Sequence, residues 1–219
     1  IYFVSSWVED KFFESIEKNY YSNFKTIYPS INKINSFPIK EKLIVFSGKL
    51  NAAKGFDKFC VAMNKILNKY KNWKAMAIGD EPRENIRINH KNFIYTGWIQ
   101  HEKVLKIYNR SSITIVPSSW EEPFGRSSLE AGSRGNVVII SRKGGLPETI
   151  GSPIILEKIT SRCIFNEVDK LIKNKNILLK IQKNNFEKPL HLISDNIKIL
   201  DKDRSQMLNS IKSFNINMK

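Results

Sequence analysis

Between residues 43 and 156 the chain alternates short, unbroken apolar runs with amphipathic stretches, and no other feature narrows the fold as far. The runs at residues 43–48, 74–79, 93–97, 113–116, 137–141 and 154–156 read as strands. Several are apolar at consecutive positions, as in Leu43-Ile44-Val45-Phe46 and Val137-Val138-Ile139-Ile140, so both strand faces must be buried. Strands of that kind belong to a parallel sheet covered by helices on both sides. The helices are predicted at residues 56–70, 101–110, 127–134, 162–173 and 177–186, with a short helical turn at 146–150. The first of them carries Phe59, Met63, Ile66 and Leu67 at helical spacing. The fold class is therefore α/β, a doubly wound parallel sheet. In such sheets ligands bind beyond the carboxyl ends of the strands.

The flanks read differently. Residues 3–6 suggest a strand end, and 8–18 a helix with Val8, Phe12, Phe13 and Ile16 on its apolar side. Residues 26–29 suggest a short extended piece, 32–42 a polar, proline-containing linker, and 195–213 a last helix. The chain starts at Ile1 rather than Met, so a fragment or a processed chain is expected. Its first residues lack the charged start and cleavage site of a signal peptide. No stretch reaches the apolar length of a membrane span.

The net charge of +15 directs attention to nucleic acid and to anionic lipid. The lysines are spread over the whole chain without the interleaved aromatics of an RNA-binding motif, so no nucleic-acid partner is expected. Peripheral contact with an anionic membrane stays open on charge alone. Cys60 and Cys163 lie far apart in helix-like stretches and read as buried apolar residues. With three His and no clustered thiols, no metal site is expected, and a reducing cytoplasm is the default.

The chemistry-bearing residues all fall at strand ends. Glu122 and Glu130 are separated by a Pro123-Phe124-Gly125 break and small residues, which puts the first on a loop and the second about one turn inside a helix. Carboxylates beside a helix N-terminus can accept hydrogen bonds from hydroxyls while the N-terminus favours phosphate. The bland alternative for Glu130 is a surface pair with Arg126 or Arg134, each four residues away. Gly48-Lys49-Leu50-Asn51-Ala52-Ala53-Lys54-Gly55 follows the first core strand, and its two lysines either neutralise a diphosphate or are simply solvated. No Walker pattern is present. Gly144-Gly145-Leu146-Pro147-Glu148 follows another strand, either as a plain turn or as a loop exposing backbone N–H groups.

Taken together, these elements resemble the C-terminal half of GT-B glycosyltransferases of the large retaining family 4, the glycosyl transferases group 1. The resemblance rests on Gly48-Lys49-Leu50 with Lys54-Gly55, Gly79-Asp80, Gly97-Trp98-Ile99, Pro117-Ser118, Glu122-Pro123-Phe124-Gly125, Glu130-Ala131, Gly135 and Gly144-Gly145-Leu146-Pro147-Glu148. It is strong over residues 44–150 and weaker on the flanks. It implies a Rossmann-like domain at residues 42–194 that binds a nucleotide sugar, preceded at 1–41 by the tail of an N-terminal GT-B domain and a linker. Residues 195–219 would then be a helix crossing back toward that first domain. The resemblance further implies that Lys49, standing where the family usually has Arg, and Lys54 hold the donor diphosphate. Glu130 would accept the ribose hydroxyls, and Glu122 would lie by the donor sugar. Phe124 and Gly125 would offer backbone N–H groups, Ile99 would line the base pocket, and Gly48 and Asp80 would border the site. Arg126 stands where many members carry an apolar residue, and it is expected to pair with Glu130 or Glu122 or to touch the donor.

The implied activity is transfer of a sugar from a UDP- or GDP-sugar to a saccharide or lipid-linked acceptor with retention, without metal or other cofactor. Cell-surface polysaccharide assembly at the inner face of the plasma membrane is the implied setting. Because the acceptor half is mostly absent, the chain alone is alternatively a nucleotide-sugar-binding fragment without transfer. A basic surface-binding protein and a GT-B sugar-nucleotide epimerase are the remaining readings. If the first domain is missing, Trp7, Phe12, Phe13, Leu200 and Met207 are expected to be left uncovered.

Overall fold

The structure, a computed structural model, describes residues 1–15 and 24–216. Six parallel strands form the main sheet: β3 (Leu43–Ser47), β4 (Lys74–Ile78), β5 (Phe93–Tyr95), β6 (Ile113–Val116), β7 (Val137–Ile140) and β8 (Ile154–Ile155). Their spatial order is β5-β4-β3-β6-β7-β8. Counted from β3, this is the doubly wound order 3-2-1-4-5-6, whose direction reverses between β3 and β6. The expected α/β class therefore stands.

Period-two alternation splits each central strand between two cores. Ile44, Phe46, Val137 and Ile139 enter one core, under α2 (Phe56–Lys69) and α5 (Ser161–Lys173). Leu43, Val45, Val138 and Ile140 enter the other, which receives Val104 and Tyr108 from α3 (His101–Arg110) and Ala131 from α4 (Arg126–Gly132). Each such apolar side chain contributes about 1.5–3 kcal/mol by leaving water. Cys60 is buried in the core under α2 and α5 as expected, whereas Cys163 is only partly covered.

The flanking segments form a second, smaller layer. β1 (Tyr2–Phe3) pairs in parallel with β2 (Lys25–Thr26), and α1 (Ser6–Phe13) follows β1. The predicted helix at 8–18 thus starts earlier, and Glu14 and Ser15 already leave it; its Ile16 and Lys18 lie outside the described residues. Phe3, Phe12, Phe13 and Phe24 pack ring against ring, with centroids 4.8 to 6.1 Å apart. Phe12 and Phe13 are therefore not left open as expected, and Trp7 is half-buried, while Leu200 and Met207 are exposed. After α6 (Lys175–Glu187), α7 (Ile193–Ile216) returns to this layer. Its Asp203 accepts from the Tyr2 hydroxyl and pairs with Lys25.

The linker is fixed by one partly buried lysine. Lys40 Nζ donates to the carbonyls of Tyr108, Asn109 and Arg134 at 3.1, 3.1 and 2.6 Å, closing the ends of α3 and α4. Burial and the Arg134 guanidinium lower its pKa from 10.5 to about 7, against the pull of three carbonyls that suit an ammonium. Between about pH 7 and 10.5 the unfolded chain holds a proton that the folded chain has released, so stability rises with pH through that window. The slope is at most about 1.4 kcal/mol per pH unit. Urea midpoints from pH 7 to 9.5 are expected to climb in the wild type relative to Lys40→Met. Parallel profiles would show that Lys40 does not titrate there.

Candidate functional site

The loops at the carboxyl ends of β3 and β6 enclose a crevice at the point where the sheet order reverses. Helix capping marks this side. α1, α5 and α6 begin with Ser5, Thr160 and Asn174, whose side chains accept from Val8, Cys163 and Ile177 N–H. α2 and α4 begin instead with Gly55 and Gly125, and α3 with Gln100, none of which supplies a side-chain cap. The first-turn N–H groups beside the crevice are thereby left for another acceptor. Among the described residues, no partner takes the backbone N–H groups of Phe124, Gly125, Arg126 or Ser127. α4 has seven residues, so any pull on an anion comes from these N–H groups more than from a long helix dipole.

Gly55 brings the first loop to the second. At φ +74°, a Cβ there would lie 2.1 Å from the Pro117 carbonyl oxygen. The contact is sealed by Ser119 and Trp120 N–H donating to Ala53 O at 2.8 and 3.1 Å. This brings Lys54 to Glu122, 68 residues later in the chain, and Nζ donates to Oε1 at 2.6 Å. Their side chains are 29% and 13% exposed, so the pair is poorly screened by solvent.

The crevice has two adjacent compartments that share part of their walls. The smaller, about 150 Å³, is lined by Ser47, Gly48, Lys54, Ser118, Glu122, Gly125, Arg126 and Ser127. The larger, about 420 Å³, is lined by Ser47, Trp98, Ile99, His101, Val104, Tyr108, Arg126, Ser127 and Glu130. Ser47, Arg126 and Ser127 are common to both and mark the junction. Glu130 is held from two sides on one oxygen. Oε1 accepts from Arg126 Nε and Nη2 at 3.3 and 3.2 Å and lies 3.0 Å from His101 Nε2. Arg134, the other expected partner, donates to the Glu130 backbone carbonyl instead.

The structure thus places Lys54, Glu122, Glu130, Gly48, Gly125 and Ile99 around one crevice. The Phe124 side chain points away from it, buried beside Ile31 and Leu129 and facing the rings of Tyr28 and His191 at 5.8 and 5.5 Å; its backbone stays on the loop. Lys49 is exposed, lines neither compartment and forms no ion pair among the described residues. Asp80 is also exposed, and its Oδ1 accepts from Glu81 N–H at 2.8 Å. This loop braces the lysine loop: Glu81 accepts from Asn51 Nδ2 at 3.3 Å and Glu84 from Ala52 N–H at 2.9 Å. Hydrogen bonds from Arg83 hold Glu81 down at about 2, so it stays ionised in this role.

Two residues of the crevice escaped the sequence reading as members of the site: His101 and Tyr108. His101, Val104 and Tyr108 form one stripe of α3 at helical spacing, and that stripe, beginning just after a strand-end glycine, was the available signal. Tyr108 is fully buried, which pushes its phenol up to about 12. Its hydroxyl faces Ser47 and Ser127 without a hydrogen-bond partner among the described residues. Trp98 is 77% exposed at the mouth of the larger compartment, a large apolar face open to a planar ligand. The last motif serves the scaffold: Glu148 accepts from Ser6 and Trp7 N–H at 2.8 and 2.9 Å and so fixes the start of α1.

The family model described as Glycosyl transferases group 1 matches residues 28–188. An uncharacterized glycosyltransferase of Methanocaldococcus jannaschii is 32% identical over 117 residues, 50% of this chain and 30% of that protein. The chain spans 30% to 40% of the length of the curated relatives it matches. Among solved structures, the C-terminal domain of a group 1 family glycosyl transferase from Francisella tularensis superposes with a TM-score of 0.60 at 23% identity, covering 71% of this chain and 92% of that one. HepE of Anabaena in complex with UDP gives a TM-score of 0.76 at 15% identity, covering 93% of this chain and 63% of that one. At these identities the structural likeness is one of fold, that of the Rossmann-like C-terminal domains of GT-B glycosyltransferases.

Proposed function

The chain belongs to the glycosyl transferases group 1, and on that premise we propose that it is the donor-binding half of a retaining GT-B enzyme of family 4. The observation that carries this reading is the convergence of the Lys54–Glu122 pair and Glu130 on two adjacent compartments where the sheet order reverses. A nucleotide sugar has the matching chemistry. Its ribose hydroxyls suit the Glu130 carboxylate, its base suits the compartment of Ile99 and Trp98, and its diphosphate suits Lys54 and the unpartnered N–H groups of residues 124–127. Glu122 then lies by the sugar.

Departure of the nucleoside diphosphate builds negative charge on its phosphates. Lys54 and the backbone N–H groups stabilise that charge without a cofactor, an oxyanion-hole type of contribution worth about 3 kcal/mol per contact; Lys49, outside both compartments, adds only its more distant charge. Front-face attack on an oxocarbenium-like centre accounts for retention, with Glu122 positioning the sugar. The acceptor, a saccharide or lipid-linked saccharide, would be bound largely by the other half of such an enzyme. Work at the cytoplasmic face of a membrane on cell-surface polysaccharide is the setting we assign. Its support is the family resemblance and the net charge of +15. Among the described residues no helix is long and apolar enough to cross a membrane.

Calorimetric titration of this chain with UDP, GDP and ADP tests the donor site. Saturable binding of one nucleotide is expected. Glu130→Ala should weaken it roughly tenfold to a hundredfold, as for lost hydrogen bonds to a charged group. A folded chain that binds none of the three, or a Glu130→Ala variant with unchanged affinity, would overturn the assignment. The chain's share of its relatives' length favours a second reading, in which the donor is held but not transferred by this chain alone. Detectable transfer by the 219-residue chain would sink that second reading.

A further inference from the structure

We propose that Arg126 changes partners when the donor enters, leaving Glu130 for a phosphate oxygen of the nucleoside diphosphate, so that pentose and diphosphate recognition are coupled through one side chain. The proposal rests on the donor-site reading and adds a specificity role for a side chain to which that reading gives none. Arg126 lines both compartments, one holding Glu130 and the other Lys54. Its hold on Glu130 is loose. Nε and Nη2 share the single oxygen Oε1 at 3.3 and 3.2 Å, a geometry short of the two-oxygen fork that guanidinium and carboxylate prefer. The Arg126 side chain is 64% exposed against 8% for Glu130, so the arginine is the partner free to move.

A carboxylate that receives both hydroxyls of a ribose cis-diol uses both of its oxygens. A ribose hydroxyl on Oε1 competes there with His101 at 3.0 Å and with Arg126 at 3.2 and 3.3 Å, and the arginine, the longer and more exposed of the two contacts, is the partner displaced in this proposal. The arginine has somewhere to go. Glu122, the other carboxylate of the crevice, is already taken by Lys54 at 2.6 Å. An incoming diphosphate in the smaller compartment is therefore the unclaimed anion within the walls that Arg126 lines. A ligand with a diphosphate replaces the broken Arg126–Glu130 pair with a new one. A nucleoside breaks that pair and offers nothing back. Arg126 thus favours nucleotide over nucleoside by more than a direct phosphate contact would.

The test compares UDP with uridine, GDP with guanosine and ADP with adenosine on this chain, by calorimetry for tight binding and by NMR shift titration for weak binding. Wild type, Arg126→Ala and Arg126→Lys are compared. In Arg126→Ala the bound nucleotide should weaken about tenfold while its nucleoside binds several-fold tighter; an unchanged nucleoside affinity would mean a direct phosphate contact without exchange and overturns the proposal. The affinity ratio of the pair should therefore fall by tenfold or more, with Arg126→Lys in between. A general loss of structure would weaken both ligands together, so the ratio separates exchange from damage. An unchanged ratio overturns the exchange and leaves the donor site standing. Failure of every pair to bind the folded wild type overturns the donor-site reading and the exchange with it.

Discussion

Gly144→Ala is expected to lower stability by about 3 kcal/mol or more and to abolish nucleotide binding at the temperatures where the wild type binds. Gly144 has φ +59°, and a Cβ there would lie 2.0, 2.6 and 2.8 Å from the O, N and C atoms of Glu122. Backbone cannot step aside as the end of a flexible side chain can. The same contact is tied by hydrogen bonds, Gly145 N–H to Glu122 O at 2.7 Å and Gly144 N–H to Glu121 Oε2 at 2.6 Å. The clash must therefore move the strand-end loop that carries Glu122, and Lys54 loses its partner. For a chain of this size the loss corresponds to a fall of roughly 6–12 °C in melting temperature. Gly151→Ala is the control, since nothing lies within 4 Å of a Cβ there and its φ is not positive. It should stay within about 0.5 kcal/mol of the wild type. Equal melting temperatures for the two variants would refute the steric account.

Lys54→Ala should weaken binding of the free nucleoside diphosphate roughly tenfold to a hundredfold, the range of a charge-assisted hydrogen bond. Two effects add. The ammonium that attracts phosphate is gone, and the Glu122 carboxylate, 13% exposed, is left facing the anion without compensation. Glu122→Ala should act in the opposite direction on the free diphosphate, tightening it a few-fold by releasing Lys54. Glu122→Ala should change the affinity by a clearly different factor in the Lys54→Ala background than in the wild type. This non-additivity is the signature of a directly coupled pair. Additive effects in the calorimetric cycle would mean that the 2.6 Å contact does not shape the anion site.

The core strands could be read from residues 43–156 because burial on both faces imposes unbroken apolar runs, and such runs are visible one residue at a time. The same holds for the position of the site. A parallel sheet sends its loops to one end, and Gly48, Gly79, Gly97, Ser118 and Arg142 all follow strands. Termini were less legible. The aromatic set of Phe3, Phe12, Phe13 and Phe24 closes on itself through the pairing of β1 with β2, and two-residue strands carry no period to detect.

The sequence by itself thus determined the α/β class, the order of strand and helix, and the residue types that gather at the strand ends. It did so because those properties are local or repeat with a short period. Partner choice was decided only by the tertiary structure. Lys54 meets Glu122 across 68 residues because Gly55 lets the β3 loop press against Pro117. His101 joins Arg126 on Glu130 because α3 and α4 cover the same face of the sheet. Lys49 and Lys54 look alike in the sequence, yet one is exposed outside both compartments and the other lines the smaller one. Such distinctions depend on how the chain crosses over between strands, and that is a property of the assembled sheet.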